Sequence, residues 1–471
     1  MDPATESFID ELTAVGARPL AVLLLEYAAE DNDLAARLRL MAAVHKGSDA
    51  MVSALNRGIR ELVEERGFYA WDEAATLAGR IDNLRRVTLD AFLDVSPETV
   101  TSLLSSLVGT SGMVMKRVDD SSGRVGKAYA ETVTVWGAAW VAVSARDHRE
   151  LAALVLHEIA TDDYGIKQNV LTAFREALGS AGLTELRRLI QAELDREPAG
   201  SDYRRGVWLY ALQDVADALG DVDGFIALVQ ATGSADRRAV EIAERLVTAG
   251  RPAEALAWLD RAAPIGRAAG RAPDVRIAAF LALGRFEEAQ RARWKDVCER
   301  LRIDQFRAYL EALPVADREP ARQRAVATAL GHGDANAALE FLVGLPDTAA
   351  AETLVVTRAC DIDGRAHDQL MPLADVLEDA QPLATVLLTR VLAEAILDAR
   401  HSPAYHHAAR YICKAEHLAG RVTDWLGHGS HSDFMARLRD VHRRKSAFWP
   451  ALAAAERDAI TVSRQRCQVP E

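Results

Sequence analysis

Along almost the whole chain, apolar residues return every three or four positions, as in Leu20, Leu23, Leu24 and Tyr27, or Leu103, Leu104 and Leu107. On a helix of 3.6 residues per turn such a series forms one stripe, and each stripe must be buried against a neighbour. The breaks between stripes are short: Asn32-Asp33 before Leu34, Ser96-Pro97-Glu98 before Val100, and Pro198 to Asp202 before the next series. Ser or Asp at a helix cap and Pro at the first helical position make these breaks helix starts. No Gly/Ser-rich linker or low-complexity tract interrupts the pattern, so the chain is expected to be all-α, with helices joined by tight turns.

One segment argues locally for strands. Thr132 to Trp136 and Trp140 to Ser144 are rich in β-branched and aromatic residues, which favour a hairpin. The intervening Gly137-Ala-Ala139 is a poor hairpin turn, however, and Val133, Trp136, Trp140 and Val143 also share a helical face. A lone two-stranded hairpin between helices has little stability of its own, so the segment is read as helix.

A longer period appears further on. Gly250-Arg-Pro-Ala-Glu-Ala-Leu256 and Gly284-Arg-Phe-Glu-Glu-Ala-Gln290 hold Gly, Arg, Glu and Ala in the same order, 34 residues apart. Both stretches resemble tetratricopeptide repeats, whose period this is. In such a unit Gly leaves one helix in a left-handed conformation, and Ala keeps the next helix small where it crosses its partner. The first stretch continues with Trp258, Leu259 and the small Ala262, whereas the second places Asp296 where that Ala belongs. Gly333 to Leu339 is a weaker echo, 49 residues on. The fold class expected is an α-solenoid of antiparallel helical hairpins, of tetratricopeptide or HEAT type. Its regions are an N-terminal helical part (1–118), a central part (119–204), the repeats (205–400) and a C-terminal His-rich, basic cap (401–471), all within one continuous solenoid.

Charge and cysteine usage narrow the functional classes. A net charge of −13 and a pI near 5.5 argue against a chain-wide footprint for nucleic acid. Cys298, Cys360, Cys413 and Cys467 lie far apart, without CxxC or CxC, so they predict reduced thiols in a cytoplasmic protein. Asp2, Glu6, Asp10 and Glu11 stand where an export signal would be basic, and the run Leu20 to Leu25 is too short for the ~20 residues that cross a bilayer. No membrane association is expected.

Four stretches invite a chemical reading. HEIAT, His157 to Thr161, begins like a zinc-protease motif but has Thr161 in place of the second His, and it reads as a helix end before Asp162-Asp-Tyr-Gly165. Seven of the twelve histidines (His401, His406, His407, His417, His428, His431 and His442) fall near Cys413; of these only Cys413 and His417 have the i, i+4 spacing of paired metal ligands. Arg437, Arg439, Arg443, Arg444 and Lys445 define a basic helix with an apolar side of Phe434, Leu438, Val441, Phe448 and Trp449, which caps the solenoid; these basic residues with His442 and Trp449 are the candidate partner-binding surface.

The fourth stretch is RVDDSSGRVGKAY, Arg117 to Tyr129. Its glycines are too close for a phosphate-binding loop and Ala128 follows Lys127; its acids do not alternate as a calcium loop requires. It is expected to be a turn between helices, with Asp119, Asp120 and Ser121 bonding to local amides and Gly123 at positive φ. No nucleophile, acid and base can be grouped anywhere in the chain, so neither catalysis nor a cofactor is expected.

Val118 to Gly126, Asp162 to Gly165, and the stretch from Tyr405 to Trp449 together resemble a family of bacterial all-helical proteins of unknown function. The helical region of that family is similar to the C-terminal part of some SWIM zinc-finger proteins, although this chain has no CxC. The resemblance implies a helical-repeat fold and no established activity, and it leaves Asp119, Asp120, Ser121 and Gly123 as ligand candidates. The leading functional expectation is a non-catalytic protein-interaction scaffold. Its alternatives are a nucleic-acid-associated factor acting through the C-terminal basic helix and, third, a metal-dependent hydrolase built on the His cluster.

Overall fold

The computed structural model describes residues 3–29, 32–90, 95–198, 201–261, 266–400 and 402–466. Among them there are helices and turns but no strand; the only extended pairing is a single parallel bridge between Tyr69 and Val118. The chain forms two compact units, the first ending at Arg245 and the second beginning at Leu246. His401, Cys467 and Ala262 lie outside the described residues.

In the first unit the order is α1 (Pro3–Val15), α2 (Ala17–Ala28), α3 (Asn32–Val44), α4 (Ser48–Glu64), α5 (Ala74–Asp90), α6 (Pro97–Gly109) and the short α7 (Ser111–Met115). There follow α8 (Arg124–Val141), α9 (His148–Ala160), α10 (Val170–Arg196), α11 (Asp202–Leu219), α12 (Val222–Ala231) and α13 (Ala239–Thr248), whose last turn passes the division. The start of α6 illustrates the local logic. Ser96 accepts from the Thr99 amide at 3.3 Å and Pro97 opens the helix, after which Val100, Leu103, Leu104 and Leu107 are all buried.

The segment with β-type composition is helical as far as Val141, as its spacing predicts, and Ala142, Val143 and Ser144 belong to the turn that follows. Within α8, Val133 and Trp136 are fully buried, and the Trp136 ring meets Phe174 of α10 edge-on at 4.9 Å. Gly137 is the crossing point: a Cβ there would lie 2.2 Å from the Ala173 carbonyl oxygen, so only glycine lets the two backbones approach this closely. Two clusters make up most of the core of this unit among the described residues. Leu55, Ile81, Leu107 and Tyr129 belong to one, and Trp136, Phe174, Leu186 and Val215 to the other.

The second unit runs through α14 (Pro252–Arg261), α15 (Arg267–Ala282), α16 (Phe286–Arg300), α17 (Ile303–Glu311), α18 (Val315–Leu330) and α19 (Ala335–Gly344). It ends with α20 (Thr348–Arg358), α21 (His367–Leu377), α22 (Pro382–Asp398), α23 (Tyr405–Ala419), α24 (His431–His442) and α25 (Phe448–Arg466). Phe306, Phe341, Leu388, Phe434 and Phe448 share its main core.

Gly250 and Gly284 occupy the same local structure. Their φ angles are 74° and 70°, and in each the next amide reaches back five residues, from Arg251 to Leu246 and from Arg285 to Phe280, which closes the preceding helix. Arg251 then pairs with Glu254, and Arg285 with Glu288, at the start of the following helix. Ala255 and Ala289, the small residues of the pattern, are fully buried. Asp296 is also buried and holds Arg300 one turn on, which is how a carboxylate sits at a position suited to Ala. The echo at Gly333 differs: that glycine is not left-handed, and Asp334 caps α19 instead, accepting from the Ala337 amide at 3.0 Å.

Candidate functional site

The first unit holds a cleft of about 490 Å³ between the turn that follows α9 and the exposed face of α11. One wall is the DDYG turn. Asp162 accepts from the amides of Ile166 (3.0 Å) and Lys167 (2.9 Å), which folds the chain back on itself after α9. Behind this turn, Lys167 Nζ donates to Glu158 at 2.6 Å and to the Thr161 hydroxyl at 3.3 Å. Glu158 is the glutamate of HEIAT. His157 is exposed on the last turn of α9, so the motif contributes a structural ion pair.

The opposite wall is α11. Tyr203, Val207, Tyr210 and Asp214 follow one another at three- and four-residue steps along the side that lines the cleft, with Ala211 beside them. Tyr203 is 78% exposed and Tyr210 56%. Trp208, also at the cleft, is buried and donates weakly from Nε1 to Glu197 at 3.4 Å. Asp163 and Asp214 bring negative charge, while Arg204 lies 3.6 Å from Glu197. The Asp214 carboxyl is held above its usual range, first because the concave wall displaces water around it and then because Asp217 is close. Its residue surface remains largely exposed, so the carboxyl is both reachable and poorly solvated.

The loop Asp119, Asp120, Ser121 and Gly123 lies behind that cleft wall. Asp120 accepts from the amides of Val125 (3.0 Å) and Gly126 (2.8 Å), capping α8. Asp119 accepts from the Ser121 amide at 3.1 Å and from its hydroxyl, and these bonds hold its carboxyl below the usual range. Gly123 turns the chain at φ 68°. Arg117 donates to the Leu62 and Glu65 carbonyls at the end of α4. A Cβ on Gly126 would stand 3.2 Å from the Ile166 side chain, so VDDSSGRVG and DDYG, separate in sequence, are packed neighbours.

The C-terminal candidates divide. α24 ends at His442, so the predicted basic helix is a helix followed by a turn through Arg443, Arg444 and Lys445. His442 is buried beside Asp398 (3.7 Å), Lys445 donates to the Leu397 carbonyl at the end of α22, and Trp449 Nε1 donates to the His442 carbonyl at 3.2 Å. Arg437 lies over the Phe434 ring at 5.3 Å. Arg439, Arg443 and Arg444 are exposed. Val441, expected on the apolar side, is 65% exposed, because the helix buries only Phe434, Leu438 and His442 on that face.

The histidine-rich region is dispersed. The rings of His406 and His407 lie 3.9 Å apart, tilted by 40°, and bond to the Pro403 carbonyl and to Arg410 respectively. Cys413 is partly buried and its thiol is pushed up to about 11 by burial, whereas His417 is exposed; a protonated thiol is a poor metal ligand. Among the described residues no three His, Cys, Asp or Glu side chains converge on a metal position.

Near α24 lies a group that motif reasoning missed. Arg390 of α22 is 6% exposed and stands 4.8 Å from both the Trp425 and Phe434 rings, with one nitrogen donating to the Gly429 carbonyl at 3.0 Å. Its guanidinium is pulled down to about 10 by burial. His431 beside it is pushed down to about 4, by burial and then by Arg390. In the cleft, the missed residues are Tyr203, Tyr210 and Asp214; their only signal was two tyrosines seven positions apart, on one helical face.

These features define an all-helical protein of two units in which two capped turns pack together and one of them, DDYG, walls a tyrosine-lined cleft. Residues 9–451 match the family of unknown function DUF6880, and the chain belongs to that family. No curated protein and no solved structure matches it. No helix among the described residues is long and apolar enough to cross a membrane.

Proposed function

We propose that this protein is a non-catalytic, cytoplasmic helical-repeat adaptor that binds a segment of another protein in the cleft between the DDYG turn and α11. The observation that carries this reading is the pair of exposed tyrosines. Tyr203 and Tyr210 stand on one face of a rigid helix over a concave wall, and such rings combine large contact area with little entropy loss on binding. Asp163 and Asp214 make a cationic segment the best-matched occupant. The matching turns at Gly250 and Gly284 support a tetratricopeptide-like array in that region.

A photo-crosslinking residue in place of Tyr210, expressed in the native host, identifies the partner. The purified partner is then titrated against the parent and against Tyr203→Ala/Tyr210→Ala. At least a tenfold loss of affinity is expected for the double variant; equal affinity overturns the assignment. The exposed Arg439, Arg443 and Arg444 support a second reading, nucleic-acid association through this end of the chain. That reading requires affinity for a nucleic acid to fall steeply with salt and with replacement of these three arginines.

A further inference from the structure

A second concavity, of about 370 Å³, lies between α3, α4 and α5 of the first unit. Arg37, Arg39, Lys46, Arg57 and Arg80 line it, with Glu61 as the one carboxylate of the lining. Five cations in one cleft of a chain whose net charge is −13 are a local reversal of sign. We propose that this cleft binds a phosphorylated small molecule, its phosphate on Arg57 and Lys46 and its body on the apolar floor.

The division of labour among the cations supports this placement. Arg80 is already fixed: its guanidinium makes two 2.8 Å hydrogen bonds to Glu65, and its side chain is 15% exposed. Arg39 lies 3.6 Å from Glu61. Arg57 and Lys46, by contrast, are exposed and have no carboxylate partner among the described residues. Two uncompensated cations at the mouth, backed by held guanidiniums, suit a multiply charged anion better than a single carboxylate. The floor is Leu40, Ala43 and Leu84, all buried, and the volume is in the range of small-ligand sites.

The surroundings favour a discrete anion over a polymer. An adjoining hollow shares Arg37 and Asn83, but there Arg85 is bound to both Asp82 (3.1 Å) and Glu131 (2.8 Å), and Arg86 to Asp90 (3.3 Å). On that side the positive field of the α3–α5 cleft therefore does not continue as a track that a nucleic-acid backbone would follow.

Calorimetric titration of the full-length protein with inorganic pyrophosphate and with ADP, at low salt, tests the site. A saturable 1:1 isotherm is expected with both, tighter for ADP because its body covers the floor. Lys46→Ala/Arg57→Ala, both exposed positions, is expected to weaken binding at least tenfold with an unchanged circular dichroism spectrum and melting temperature; Arg57→Lys retains part of the affinity. No saturable heat with either probe at millimolar concentration overturns the proposal, as does binding that the double variant leaves unchanged. A 20-nucleotide single strand that binds more tightly than ADP through the same two residues also overturns it, in favour of a polymer site.

Discussion

Lys167 reaches Glu158 at 2.6 Å behind the DDYG turn, and both side chains are more than nine-tenths buried. The pair fastens the end of α9 to the turn that leads into α10, and so sets the position of the cleft wall. Removing one partner leaves a buried charge alone, which costs about 3–5 kcal/mol, whereas replacing both with apolar residues of similar size is often neutral. Lys167→Met is therefore expected to lower the denaturant midpoint strongly, and Glu158→Leu/Lys167→Met to recover most of the loss. Chemical denaturation of the three proteins checks this; a double variant no better than the single one refutes a compensated pair.

Asp119 and Asp120 are adjacent but unequal. Asp120 accepts two amides in the first turn of α8, while Asp119 serves only its own exposed turn through Ser121. Loss of a helix cap costs about 0.5–2 kcal/mol. Asp120→Ala is expected to lower the melting temperature clearly and Asp119→Ala hardly at all. A larger fall for Asp119→Ala contradicts the geometry.

His431 gives the second unit a defined acid sensitivity. Its imidazole is pushed down to about 4 in the folded state, by burial and then by Arg390, against about 6.5 in the unfolded chain. The unfolded state thus binds more protons between those values, so the stabilisation is complete above about pH 6.5 and is lost as pH falls towards 4. The loss at pH 5 is on the order of 2 kcal/mol. His442, held low mainly by burial, acts in the same direction. His431→Phe is expected to flatten the dependence of stability on pH between 7.5 and 5; an unchanged slope assigns it to other groups.

The helices themselves were legible in the residues. The spacing of Val133, Trp136, Trp140 and Val143 overruled the β-type composition of that segment, and the structure agrees because Trp136 packs on Phe174 rather than on a partner strand. Gly137 was legible only as a poor turn; that it marks the crossing with Ala173 depends on a helix remote in sequence. The basic C-terminal stretch was legible as amphipathic, but Lys445 and Trp449 proved to bond carbonyls of Leu397 and His442, and Val441 to face outward. A residue's type and period say whether its side of a helix is apolar or charged, not what the end of a long side chain will reach.

By itself, then, the sequence determined where helices start, at Ser96-Pro97 or after Gly250 and Gly284, and the stripe that α6 buries; it did not determine that of α2, whose Leu23, Leu24 and Tyr27, expected to be buried, stay exposed. Those choices rest on interactions within a few residues, namely capping bonds, backbone conformation and the 3.6-residue period. Tertiary structure alone decided what meets what: Glu158 with Lys167, Gly126 with Ile166, Tyr203 with Asp163 across a cleft, and Arg57 with Arg80 around another. The physical reason is that helix packing is set by the shape of whole faces. A polar group's partner follows from that packing, and no period in the sequence records it.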